Sequence, residues 1–319
     1  MNAFSIAESR RVSVSAVRQA AEDVRTFDLV AADGRPLAAA PAGAHLIVEV
    51  PAGLIRHYSL CGDPRDASHY VIAVKREAAG RGGSASMHQA VEPGSSLTIA
   101  GPRNNFPLAG DSAFSILIAG GIGITPLLAM AQQLQYSGHP WEMHYCARSA
   151  AHAAFLPALT ALSPDAVTPY LSPTPIFDAA TALGRVRPGT HVYCCGPQGL
   201  MQAVADATAH WPDGHVHFEW FSNPTDAEVR NVAFEVELAR SGLVLAVPEH
   251  LSVLQVVRAA GIDVPSSCEE GVCGTCETRV LSGLVAHRDQ VLSAAERRAN
   301  GSMMICVSRA EGNRIVLDL

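Results

Sequence analysis

Residues 266–280 read SSCEEGVCGTCETRV and set three cysteines on one short loop, as Cys268-x4-Cys273-x2-Cys276. A fourth, Cys306, follows alone and far downstream. Four thiolates in this order are the ligand set of a plant-type [2Fe–2S] centre, which accepts or passes one electron at a time. Gly271 and Gly274 lie between the ligands and permit the positive-φ turns that a tight wrap needs. Small residues there also leave backbone N–H groups free to bond to sulfur. A structural zinc site is the rival, but it usually joins one C-x2-C pair to a second close pair. Four cysteines of an ordinary core would not crowd three thiols onto one loop. Cys268, Cys273, Cys276 and Cys306 are therefore the expected metal ligands.

Around this loop, FEVELARSGLVLAVPE reads as a hairpin and HLSVLQVVRAAG as a short helix, with MMICVSRA and RIVLDL as a closing strand pair. Together they predict a compact α+β ferredoxin-like domain over 233–319. The polar stretch FSNPTDAEVRN precedes it, with a linker expected at 226–232. Upstream, over 109–225, the strand SILIAG runs through glycines into the helical PLLAMAQQLQYSG. WEMHYCARS, HVYCCGP and GHVHFEWF add strands and QGLMQAVADATAHW a helix, which predicts a parallel α/β sheet. The Pro-rich VTPYLSPTPIFDAATALGRVRPG has no clear assignment. Residues 1–108 hold short β runs punctuated by Pro and Gly, as at Gly101 and Pro102, and predict a small antiparallel β-barrel.

A chain of 319 residues exceeds one ordinary domain, and 48% hydrophobic with 17% charged residues is ordinary globular composition. The net charge of −7 argues against nucleic acid or an anionic membrane surface as the main partner. No run resembles a signal peptide or a membrane span, so a cytoplasmic location is expected. Cys61, Cys146, Cys194 and Cys195 then read as reduced thiols.

Four further segments carry chemistry. In Arg56-His57-Tyr58-Ser59, Arg56 offers a guanidinium to a phosphate, Tyr58 an aromatic face, and Ser59 a hydroxyl or N–H for the polar edge of a flavin ring. An ordinary edge strand would read the same way. Arg81-Gly82-Gly83-Ser84 forms a glycine loop whose N–H groups can converge on an anion. Gly120-Gly121-Ile122-Gly123-Ile124-Thr125-Pro126 follows a strand directly and opens a helix, which suits a pyrophosphate. It is not G-x-G-x-x-G. Cys195, Gly196 and Pro197 end another parallel strand, where ligands of open α/β sheets sit. Cys195 could flank a nicotinamide without acting as a nucleophile. The thirteen histidines form no metal motif, and His215 and His217 read as structural. The chemistry must belong to bound cofactors.

Taken together, RHYSL, GRGGS, GGIGITP, YCCGP and CEEGVCGTC resemble the phthalate dioxygenase reductase family, which includes reductase components of vanillate demethylase and related aromatic oxygenase systems. The resemblance spans essentially the whole chain. It implies an FMN barrel, an NAD domain and a C-terminal ferredoxin, with NADH as donor. By position, His57, Tyr58, Ala73, Val74, Lys75, Arg81, Gly82, Gly83, Ser84 and Thr125 resemble FMN contacts. Phe221 resembles the aromatic residue covering the flavin, and Gly120, Gly121, Gly123, Cys195, Gly196 and Pro197 the dinucleotide site. Thr125, Cys195 and Phe221 would stand nearest the chemistry. Two positions depart from the pattern: His57 stands where threonine is expected, and Ser149 where an acidic residue is expected. The implied activity is that of a monomeric NADH-dependent oxidoreductase feeding a Rieske-type oxygenase. A self-contained flavin reductase of a small molecule, and a non-enzymatic redox carrier or sensor, are the alternatives.

Overall fold

The computed structural model describes residues 9–173, 176–223 and 231–319. Its first sheet contains β1 (Arg10–Ala21), β2 (Val24–Ala31), β3 (Ala44–Glu49), β4 (Ile55–Ser59), β5 (Tyr70–Lys75) and β6 (Ser96–Asn104), with helix α1 (Gly83–Ala90) between the last two. The strands pair antiparallel in the order β4-β3-β6-β1-β2-β5. Alternation drives the pattern in β1, where Val12 and Val14 are buried between more exposed neighbours. Strand β6 continues through Gly101 and Pro102, which the sequence reads as punctuation. Gly101 has φ of +100°, and the register of β3 on β6 slips between His45 and Ile47. A bulge of this kind is where a sheet tolerates proline.

The edge strands β4 and β5 approach each other at one bridge, Leu60–Ile72, beside a bond from Cys61 N to Val71 O of 2.9 Å. Among the described residues no further ladder joins 55–59 to 73–75, so the barrel stays open along those edges.

The second sheet comprises β7 (Phe114–Gly120), β8 (Trp141–Ala147), β9 (Val167–Leu171), β10 (Thr190–Cys195) and β11 (Val216–Phe218). All pairs are parallel, in the order β11-β10-β7-β8-β9. The order reverses between β7 and β10, which makes the gap at their carboxyl ends the topological switch point. Helices α2 (Ile124–Ser137), α3 (Leu156–Leu162), α4 (Ala179–Leu183) and α5 (Gln198–Ala207) complete it. The Pro-rich segment resolves into β9 and α4. Pro169 lies in edge strand β9, where a missing N–H costs no central ladder bond. Val24, Ala42, Cys61, Ala73 and Phe106 share one apolar core with Leu117, Ile124, Leu127, Met130 and Tyr193. The two sheets on either side of the boundary expected at 108 therefore form one compact unit, 9–221.

The second unit, 222–319, holds β12 (Phe234–Leu238), β13 (Leu243–Val247), α6 (Val253–Ala259), β14 (Glu277–Ser282), β15 (Val285–Ala286), α7 (Ala294–Ala299), β16 (Ser302–Met304), β17 (Arg309–Ala310) and β18 (Arg314–Leu317). The hairpin β12–β13 is as read. MMICVSRA and RIVLDL do not pair with each other, however. Strand β18 lies between β12, in parallel, and β14, while β16 pairs with β14 on the far side. Ile315 and Leu317 are fully buried, which favours a central strand with both edges paired. Both short helices start with capping boxes, Ser252 with Gln255 and Ser293 with Glu296. Most of the expected linker, 226–232, lies outside the described residues. No helix among them is long and apolar enough to cross a membrane.

Candidate redox sites

In the unit 222–319 the cysteine loop joins α6 to β14. Its turns use positive φ at Glu269 (+57°), Gly271 (+71°) and Gly274 (+76°). Gly271 is required twice over, because a Cβ there would lie 2.5 Å from Val307 Cγ2. The four thiols group two and two. Cys268 hydrogen-bonds with Cys273, and Cys276 with Cys306. In each pair the donor's pKa rises (Cys268, Cys306) and the acceptor's falls, Cys273 to about 5. Backbone N–H groups add to this. Glu270 N donates to Cys268 Sγ at 3.3 Å, and backbone bonds from Thr275 and Gly271 favour the thiolates of Cys273 and Cys306. Among the described residues no three His, Cys, Asp or Glu side chains converge on a single ion. A two-plus-two grouping fits a two-iron cluster, each iron taking two thiolates, better than one tetrahedral zinc.

Sequence reasoning passed over the brace behind this loop. Asp289 is fully buried, and its Oδ2 accepts from Val291 N (3.1 Å) and Leu292 N (2.8 Å). Gln290 N in turn donates to Gly271 O at 2.8 Å, which ties the segment to the ligand loop. A lone aspartate in HRDQVL gives no periodic signal by which to find it.

In the unit 9–221 the GRGGS segment is more than a loop, since Gly83 begins α1. Gly82 caps the helix at φ of +89° with no side-chain bond, leaving N–H groups for an anion. Arg56 folds against that terminus: a Cβ on Gly83 would lie 2.8 Å from Arg56 Nε. An uncapped helix end beside a guanidinium fits a phosphate. Ser84 Oγ accepts from Glu77 N (3.0 Å), and Lys75 pairs with Glu77. Arg81 is exposed. Ala73 and Val74 have buried side chains, so they offer a ligand only backbone.

The next residues of β4 point elsewhere. The ring of His57 lies 5.1 Å from that of His45, and burial drives its pKa down to about 3. Burial drives Tyr58 up to about 12. Ser59 Oγ donates to Glu219 Oε2 at 3.3 Å, joining the barrel to the segment after β11. Glu219, absent from the sequence reading, is pushed up to about 8 by burial, only partly offset by the Ser59 bond. An isolated glutamate in HFEWF carries no spacing signal. Phe221, two residues on, is 43% exposed.

At the switch point the two turns pack backbone on backbone. A Cβ on Gly120 would meet Pro197 Cδ at 2.4 Å, and one on Gly123 would meet Cys195 O at 2.2 Å. Gly121, with φ of +53°, has nothing within 4 Å of its Cβ position, so the turn faces open space. Helix α2 starts without a side-chain cap. These features fit a pyrophosphate. Thr125 is buried and its hydroxyl donates to Ile122 O at 3.0 Å, so it braces the turn. Cys195 is buried, and burial first, then nearby Glu219, holds its thiol well above the usual range. It is no nucleophile at neutral pH. Cys194 faces the other core, 3.6 Å from Met201 Sδ. His217 stacks on Tyr193 with centroids 4.7 Å apart and bonds His191 at 3.0 Å.

Residues 236–311 match the family described as 2Fe-2S iron-sulfur cluster binding domain. Over 318 residues the chain is 42% identical to phthalate dioxygenase reductase of Burkholderia cepacia, covering 97% of both proteins. The chain belongs to the phthalate dioxygenase reductase family. Vanillate O-demethylase oxidoreductase of Pseudomonas sp. (strain HR199 / DSM 7063) is 43% identical over 314 residues, covering 97% of this chain and 99% of the relative. A solved structure of phthalate dioxygenase reductase, described as modular for electron transfer from pyridine nucleotides to [2Fe–2S], aligns with a TM-score of 0.73 and 42% identity over 98% of each chain. The expected barrel, parallel α/β sheet and C-terminal ferredoxin are thus the fold of a phthalate dioxygenase reductase family member.

Proposed function

We propose that the chain is the reductase component of a two-component oxygenase or demethylase system, drawing on NADH and supplying single electrons to a separate Rieske-type oxygenase. One observation carries this reading: a two-plus-two thiol loop and an uncharged crevice at a nucleotide-type switch point occur in one chain. When bound, FMN takes the electron pair from NADH and [2Fe–2S] carries electrons one at a time.

The protein's own residues bind, orient and keep water out. Arg56 and the α1 terminus, with Arg81, Gly82, Gly83 and Ser84, hold the FMN phosphate. Backbone of Ala73, Val74 and Lys75 and the open edge at His57, Tyr58 and Ser59 receive the ring, with Phe221 as an aromatic cover. Gly120, Gly121 and Gly123 take the pyrophosphate on a turn braced by Thr125. Cys195, Gly196 and Pro197 flank the nicotinamide. Glu219, kept protonated beside Ser59, holds negative charge away from that crevice. The working unit is a cytoplasmic monomer, and the net charge of −7 suits a basic docking face on the oxygenase. Anaerobic titration with NADH should bleach flavin and cluster bands together. A bleached flavin beside an unchanged cluster spectrum would overturn the relay.

A further inference from the structure

In a doubly wound sheet, the residues just past the second strand of the nucleotide-binding unit meet the adenosine ribose. A carboxylate there selects NADH, and an arginine accommodates a 2′-phosphate. Here that strand is β8, followed by Arg148, Ser149, Ala150, Ala151 and His152, none of them acidic. The carboxylates arrive instead from the turn between β1 and β2. Arg148 Nη2 donates to Asp23 Oδ2 at 3.2 Å, and His152 Nε2 lies 3.6 Å from Glu22 Oε2. Glu22 N also donates to Ala151 O at 2.9 Å, which fixes the hairpin turn against the β8 loop. The side chain of Asp23 is 19% exposed and that of Arg148 71%, so the carboxylate is the anchored partner and the guanidinium faces solvent. Ser149 Oγ lies 2.8 Å from His152 Nδ1, which orients its hydroxyl in the same loop.

We propose that Arg148 reads the 2′ position of the adenosine ribose, and that Asp23, acting through Arg148, sets the preference for NADH over NADPH. A 2′-phosphate must compete with Asp23 for the guanidinium. A 2′-hydroxyl, which carries no charge, need not displace Asp23. An exposed ion pair is weak and screened by salt, so the discrimination set by this pin is modest, about two- to fivefold. The inference rests on the reading that NADH lies across the β7–β10 switch point.

The test is calorimetric binding of adenosine 2′,5′-bisphosphate and of 5′-AMP to the holoprotein at low salt. It is paired with the NADPH-to-NADH ratio of kcat/KM using ferricyanide as acceptor. Arg148→Ala should lower the bisphosphate-to-AMP affinity ratio about tenfold, and Asp23→Asn should raise it about two- to fivefold. Asp23→Glu should restore the parental ratio. The double variant should match Arg148→Ala alone, because Asp23 acts through Arg148. A general loss of folding would shift both nucleotides together and leave the ratio unmoved. An unchanged ratio in Arg148→Ala, with NADH still reducing the flavin, overturns this inference and leaves the proposed function standing. If Asp23→Asn raises the ratio equally without Arg148, the carboxylate acts on the phosphate directly and the assignment to Arg148 fails. A holoprotein that binds neither nucleotide and is not reduced by NADH overturns both readings.

Discussion

In the unit 222–319, the cysteine loop and Cys306 set four thiols in two hydrogen-bonded pairs, in which Cys273 and Cys276 are shifted towards the thiolate and Cys268 and Cys306 towards the thiol. In the unit 9–221, groups along the open barrel edge and at the switch point are driven the other way. Glu219 and Cys195 are held protonated, His57 is held neutral, and Tyr58 cannot ionise near neutral pH. One region supports negative charge on one sulfur of each pair, as metal ligation by thiolates would require. The other excludes charge, as suits transfer of a hydride between two flat rings. Desolvation dominates the crevice, whereas hydrogen bonds to sulfur dominate the loop. The contrast implies that substitutions should fail differently in the two regions.

The largest effect should come from the loop. On the proposed cluster site Cys306→Ser removes one of four ligands, so the cluster's visible bands and support of an oxygenase should both be lost. NADH oxidation with ferricyanide, which draws on the first unit, should fall far less. Equal loss of both activities would show that the two regions are not separable.

Next comes the backbone contact at the switch point. Gly123→Ala drives a methyl to within 2.2 Å of Cys195 O, so one of the two turns must move. A displacement of about 1 Å costs roughly 100-fold in a positioned reaction, and stopped-flow reduction by NADH should slow accordingly. Gly121→Ala is the comparison, since its added methyl meets nothing within 4 Å. It should cost only the left-handed backbone penalty, about 1–2 kcal/mol of stability by thermal unfolding.

A smaller effect is expected at the phosphate end. If Arg56 holds the FMN phosphate as proposed, Arg56→Met should remove a charge-assisted contact worth about 1.5–3 kcal/mol, weakening FMN retention about tenfold to a hundredfold. Fluorescence of released flavin measures this, and added salt should narrow the difference between variant and parent.

The same contrast explains what could be read in advance. The cysteine loop is local: three of the four proposed ligands stand within nine residues, a spacing that ligation of one cluster would demand. The glycine turns were legible for the same reason, since backbone approach leaves a mark in composition. The crevice is not local. Ser59 lies on β4, Cys195 on β10 and Glu219 beyond β11, and only the fold brings them together. Glu219 acquires its character from burial, which no neighbouring residue in the chain announces. Helix α1 was missed because two glycines at its start mimic a flexible loop, and β6 because a bulge carries Gly101 and Pro102 through the sheet. Strand β18 was legible as a strand. Its central place was not, because parallel pairing with β12 joins residues far apart in sequence.

Glu219 provides the subtlest test of the contrast. Its carboxyl is raised from 4.5 to about 8, so the folded state binds a proton that the unfolded chain releases near 4.5. The stability this contributes is fully present below about pH 4.5 and is lost as pH rises through about 8. Thermal unfolding of the parent should therefore show a midpoint declining over that window. Glu219→Gln keeps a neutral side chain able to accept from Ser59 and should lack this part of the slope. The rate of flavin reduction by NADH should follow the same rule, falling above about pH 8 in the parent as a carboxylate forms in the crevice, and staying level in the glutamine variant. Identical pH slopes in the two proteins would mean that the carboxyl is already ionised, and that the crevice tolerates the charge this comparison says it excludes.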